Sequence, residues 1–278
     1  GKVTSIRNQN PCGTCWAFGT IASLESAALM AESITYDFSE QSVTLCVDRS
    51  WTYMYDDSSD PCMAGGNSFT ASEVLIKKGA VTEACNPYVA ENLRCDGSCV
   101  CDSCALVKRV DGYRLVTNDE TQINVIKNAL IDQGPLVVSF HHDDGYEYSD
   151  PVWGTIYDYY PSPDAANHCV SIVGWDDAVP HPNPVHPGTG GWIVKNSWGP
   201  GHGDDGYAYL AYGSSHTTEV AYLQYKDHSP DEELLYWDEA GLVYGLSGAG
   251  YTGWMANVFT ASRNGSLTHV DLWTTTNN

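Results

Sequence analysis

The sequence predicts an α+β protein, helical in its first part and β in its second. Three observations carry this. Phe18, Ile21, Ala22, Leu24, Ala28 and Leu29 recur close to a 3.6-residue period, as in a helix with a buried face. From about Val110 the composition turns to β-branched and aromatic runs at 135–140, 168–175, 191–195 and 207–212, which suit strands. The 278 residues are enough for one large or two moderate domains with a real core.

Taken in order, Pro11 and Gly13 break the chain ahead of the first helix, so Cys15 falls in its first turn. A thiol there meets free backbone N–H groups and the positive end of the helix dipole, both of which favour the thiolate. Ser39 is a natural N-cap for a second helix. Residues 49–62 read as loop, and its Asp56, Asp57 and Asp60 lack the D-x-[DN]-x-[DN]-G pattern of a calcium loop, so a solvated loop is the better reading. A third helix is expected from Ser68 to Lys78, ended by Gly79, and a fourth from about Thr121 to Gln133. The Pro- and His-rich insert Asp177 to Gly190 reads as loop, with little to suggest a metal. In His141-His142-Asp143-Asp144, neighbouring strand residues point to opposite faces, so the two histidines do not share an ion.

Thirteen basic residues against 35 acidic ones give a formal net charge of −22, which argues against nucleic acid or an anionic membrane as partner. No run of 18 apolar residues predicts a membrane span. Ten cysteines favour an oxidising compartment, hence an extracellular or cell-surface location. The cluster Cys95, Cys99, Cys101 and Cys104 has partly zinc-like spacing, but the oxidising context favours disulfides for Cys85, Cys99, Cys101 and Cys104. No cofactor or metal is expected, a structural calcium or zinc being only weakly supported.

Far downstream of Cys15, His168 opens an apolar run and Asn196 stands in Lys195-Asn196-Ser197-Trp198-Gly199. His168 lies 153 residues after Cys15, and Asn196 follows 28 later. Together with Gln9 and Cys12-Gly13-Thr14-Cys15-Trp16, this pattern resembles the papain (cathepsin-like) family of cysteine peptidases. Thr14 departs from the Ser or Ala of the family signature.

The resemblance covers about residues 1–225, and implies a helical lobe at about 1–109 and an antiparallel, barrel-like β lobe at about 110–225, with the active-site cleft between them. It implies Cys15 as nucleophile, His168 as its acid–base partner, Asn196 as orienter of the imidazole under Trp198, and Gln9 as an oxyanion donor. It implies Gly65 and Gly66 as bare backbone that pairs with an extended substrate, although a simple turn would explain two glycines equally well. The pocket for the second residue before the cut would draw on Asn67, Ser68, Ser139 and Cys169, a small and polar set predicting a roomy pocket; Asn167 flanks the cleft. Cys12–Cys62 and Cys46–Cys95 would be disulfides, Cys15 would be free, and Cys169 would act as a small apolar residue. Protein or peptide substrates are the implied partners, with a signal and an inhibitory propeptide ahead of Gly1 in a zymogen.

Residues 226–233 read as a charged linker, and 234–278 as the beginning of a second β domain, similar to the lectin-like domain of some microbial papain-like enzymes. Asn264-Gly265-Ser266 fits a glycosylation acceptor, a pattern chance explains as well. The function expected is a secreted cysteine endopeptidase. The alternatives are an exopeptidase, with the Asp177 to Gly190 insert blocking the cleft, and a catalytically silent adhesion or glycan-binding module. Oligomeric state is not legible.

Overall fold

The computed structural model describes residues 2–47, 62, 65–90, 104–235, 259–262, 264–267 and 270. Cys95, Cys99, Cys101, the Asp56 to Asp60 loop and most of 234–278 lie outside these residues.

Helix α1, Cys15–Glu32, is the axis of the helical lobe. Its small and apolar residues are buried nearly all round, so it is a central helix rather than a surface one. Helix α2, Glu40–Cys46, starts where Ser39 accepts the Ser42 N–H at 2.9 Å. Helix α3, Ser68–Lys77, is capped by the side chain of Asn67. After β1, Lys108–Thr117, helix α4, Ile123–Gln133, packs on the β lobe.

The remaining strands are β2 (Leu136–Phe140), β3 (Glu147–Asp150), β4 (Gly154–Tyr157), β5 (His168–Pro180), β6 (Thr189–Lys195), β7 (Tyr207–Ala211) and β8 (Thr218–Asp227). They form one sheet in the order β1-β8-β2-β5-β6-β7-β4-β3, antiparallel except where β4 runs parallel to β7. The sequence reading missed β1, β3, β4 and β8 as strands, because short or polar runs carry little periodicity. It also read 177–190 wholly as loop. In fact β5 continues to Pro180 and pairs with Thr189, because an extended hairpin satisfies backbone groups that a loop would leave open.

Two cores follow from strand alternation. Val137 and Cys169 face the helices, beside Trp16, Ile21, Leu24, Phe38 and Leu75. Leu136, Val138, Phe140, Val170 and Ile172 face the other side, with Ile126, Tyr157 and Trp192. The same period of two turns Ser139 towards the helices and His168 away from Cys169. Helix α1 comes so close to β5 that a Cβ on Gly19 would lie 3.0 Å from the Cys169 sulfur.

Candidate active site

Cys15 is the first residue of α1 and is partly exposed; among the described cysteines only it and the buried Cys169 are free. Burial pushes the Cys15 thiol up, against hydrogen bonds from the backbone N–H groups of Cys169, Trp16 and Cys15 itself. Cys15 thus sits between the start of α1 and the start of β5.

His168 opens β5 and is buried. Its Nε2 lies 2.9 Å from Asn196 Oδ1. The same oxygen accepts the backbone N–H of Ser197 at 2.7 Å. A backbone N–H can only donate, so the Asn196 atom is its oxygen and His168 Nε2 must carry the proton. Nδ1 is then the basic nitrogen. Burial pushes His168 down to about 4; the Asn196 bond opposes this, while His142 and His202 add to it. Trp198 stacks on the ring at 4.5 Å between centroids and shields the Asn196 bond. Asn196 Nδ2 in turn donates to Tyr157 Oη at 3.3 Å, and Tyr157 Oη lies 2.8 Å from His202 Nε2.

Gln9 is buried and held on three sides. Its N–H donates to Ser197 O at 2.8 Å. Its Oε1 accepts from Ser197 Oγ at 2.6 Å, and its Nε2 donates to Cys12 O at 2.8 Å. Since the Cys12 carbonyl can only accept, the atom facing it is Nε2 and the amide orientation is fixed; one Nε2 hydrogen remains beyond that bond. The Asn8–Trp198 bridge anchors this N-terminal segment across the lobes, beside Asn196.

Thr14, the departure from the family signature, has a specific place. It is fully buried, its Oγ1 lies 2.9 Å from Tyr88 Oη, and Tyr88 donates to Gln9 O at 2.8 Å. The Tyr88 ring packs edge-on against Phe18 at 4.9 Å. Tyr88→Phe keeps that packing and removes the hydroxyl that ties Thr14 to the Gln9 loop. Its expected cost is about 1 kcal/mol, read as a fall in kcat of roughly fivefold with KM held; an unchanged kcat would show that the bond does not position Gln9.

The remaining sequence-predicted residues fall into two groups. Gly66 lies on the face of Trp16, where a Cβ would come within 2.3 Å of the indole, so a side chain is excluded there. Asn67 spends its amide oxygen on Thr70, and Ser68 is fully buried with its hydroxyl 3.0 Å from Tyr113 Oη. Asn167 bonds both backbone groups of His142, at 2.8 and 3.0 Å, and so closes β2 onto β5. Cys169 and Ser139 sit opposite each other in register, both buried. Cys12–Cys62 and Cys85–Cys104 are disulfides, and Cys46 is disulfide-bonded as well.

His141 and His142 diverge as expected: His141 Nδ1 lies 2.7 Å from Ala165 O, while His142 Nε2 lies 3.3 Å from Glu147. Sequence spacing did not show that Asp144 and Glu147 join His142, their donor atoms lying within 4.8 Å of one another. Nor did it show Tyr157, His202, Ser197 or Tyr88 at the site. Tyr157, His202 and Tyr88 come from different strands or loops with no local signal, whereas Ser197 adjoins Asn196 in the stretch Lys195-Asn196-Ser197-Trp198-Gly199.

The model of the papain family of cysteine proteases matches residues 1–226. The viral cathepsin of Lymantria dispar multicapsid nuclear polyhedrosis virus is 33% identical over 209 residues, which cover 74% of this chain and 50% of that one. Among solved structures, bromelain from Ananas comosus in complex with the E64 inhibitor is similar at TM-score 0.61 and 30% identity, covering 81% of this chain and 94% of that chain. The cysteine protease and lectin-like domains of Cwp84 from Clostridium difficile are similar at TM-score 0.72 and 25% identity, covering 86% and 53%. The chain spans 50–60% of the length of the first curated relatives it matches. With the match running over residues 1–226, this chain belongs to the papain family of cysteine proteases.

Proposed function

We propose that the protein is a secreted cysteine endopeptidase, and the fixed tautomer of His168 is the observation that carries this reading. With the proton on Nε2 held by Asn196, Nδ1 takes the Cys15 proton. Burial disfavours each charge singly, raising Cys15 and lowering His168, but proton transfer creates both charges side by side, where their attraction offsets the loss of solvent. Sγ attacks the peptide carbonyl, the C–N bond breaks, and His168 gives its proton to the leaving amine. Water, deprotonated by His168, then cleaves the thioester and restores the thiol. The free Nε2 hydrogen of Gln9 and the Cys15 N–H, at the open start of α1, stabilise the oxyanion. The peptide lies extended along Gly65 and Gly66.

The insert 177–190 is an extended hairpin whose turn is held by side-chain contacts: Asn183 and His186 both bond the buried Asp158, and His186 stacks on Tyr160. The disulfides support export to an oxidising compartment. For residues 234–278 the start of a lectin-like β domain is proposed, by likeness of sequence.

Titration with an irreversible epoxide inhibitor of papain-like peptidases, followed by mass spectrometry, tests the reading. Stoichiometric labelling on Cys15, blocked by substrate, is expected. Folded, reduced protein that takes no label would instead favour the silent-module alternative.

A further inference from the structure

Three imidazoles surround Trp198. His168 stacks on it, while His142 and His202 meet it edge-on at 4.9 and 4.5 Å between centroids. Of the three, only His168 takes part in the proton transfers. His202 stands in the turn between Asn196 and β7, and that turn is tightly closed. The His202 N–H donates to Gly199 O at 3.3 Å, the Gly206 N–H to His202 O at 2.9 Å, and the Asn196 N–H to Gly206 O at 3.0 Å. Gly203 has a φ of 63°, and a Cβ there would run into the Tyr207 carbonyl. The His202 ring is thereby set against Trp198, with Nε2 2.8 Å from Tyr157 Oη.

The direction of that bond follows from what each atom can do. Asn196 Oδ1 accepts the Ser197 N–H, so Nδ2 is the atom that faces Tyr157, and it can only donate, at 3.3 Å. Tyr157 is buried, and burial pushes its phenol up, so it keeps its proton. A buried hydroxyl hydrogen needs an acceptor, and Asn196 Nδ2 is not one. His202 Nε2 accepts it. His202 is then neutral with its proton on Nδ1, and donation runs one way, from Asn196 to Tyr157 to His202. The Asn196 amide is held at both ends, by Ser197 on its oxygen and by this relay on its nitrogen. A charged His202 helps to lower His168, so the neutral form also spares the imidazolium a like charge.

We infer that His202 is a positioning residue of this peptidase: as a neutral acceptor it fixes the Tyr157 hydroxyl, which fixes the Asn196 amide and, through it, the His168 ring. Asn196 Oδ1 is shared between the Ser197 N–H at 2.7 Å and His168 Nε2 at 2.9 Å, so a tilt of the amide trades one bond against the other. The nitrogen end decides that tilt. An imidazole that follows it carries Nδ1 out of line with the Cys15 thiol, and a misplacement of about 1 Å can cost on the order of 100-fold in rate. The inference rests on the peptidase reading above, in which His168 is the reacting base.

The test is a cycle of variants read as kcat and KM per epoxide-titrated site. His202→Phe keeps a ring beside Trp198 and removes the acceptor; Tyr157→Phe removes the hydroxyl. Each is expected to lower kcat about tenfold with KM within about twofold, and the double variant to lose no more than either alone, because both break one relay. His202→Gln returns an acceptor towards Tyr157 and should recover at least about threefold over His202→Phe. Losses that multiply in the double variant, a His202→Phe kcat within twofold of wild type, or no recovery by glutamine would each overturn the inference and leave the peptidase reading intact. Nitrogen NMR of isotope-labelled wild-type histidines at neutral pH needs no variant. It should find the His202 proton on Nδ1, and a proton on Nε2 would overturn the inference even if the variants do not fold. Wild type that takes no epoxide label and cleaves no peptide would overturn both.

Discussion

Cys15→Ser is expected to lower kcat/KM by roughly 10⁵- to 10⁶-fold, the loss typical when the nucleophile of a covalent mechanism is removed. The substitution is nearly isosteric and Cys15 is partly exposed at the edge of the helical core, so the melting temperature should move little. The loss is chemical. A hydroxyl is far harder to ionise than a thiol, and burial already raises Cys15 against the help of three backbone N–H groups. Those contacts suffice for sulfur and fall short for oxygen. A fluorogenic peptide assay, with circular dichroism to confirm the fold, decides it; activity within tenfold of wild type would remove Cys15 from the nucleophile's role.

Gln9→Ala is expected to cost 10²- to 10³-fold in kcat, about 3–4 kcal/mol of transition-state stabilisation, with KM nearly unchanged. The donor matters only once negative charge develops on the carbonyl oxygen, so ground-state binding is spared. Ser197→Ala supplies the control. It removes the hydroxyl that holds Gln9 Oε1 at 2.6 Å while leaving the donor in place, and should cost about tenfold or less. Equal losses in the two variants would mean that Gln9 acts as a structural amide.

The sequence alone was informative where chemistry and periodicity coincide locally. The break at Pro11 and Gly13 places Cys15 at a helix start, and α1 begins there. Ser39 caps α2 as expected, and the strand runs around His168 and Lys195 become β5 and β6. A helix start, a cap and an alternating run each depend on residues within a turn or two, so these are legible in one dimension.

What only the tertiary structure decided depends on contacts between distant segments. Thr14 looks like a tolerated variant in sequence, yet its hydroxyl meets Tyr88, 74 residues away, and through it Gln9. The tautomer of His168 follows from two bonds to one oxygen, which no residue identity reveals. His202 reads as one more residue of a glycine-rich turn until the fold sets its ring against Tyr157, 45 residues away. Local propensity sets where Cys15 and His168 sit on their elements. Side-chain direction and protonation arise where elements meet, because those depend on packing and hydrogen-bond geometry that sequence neighbours do not supply.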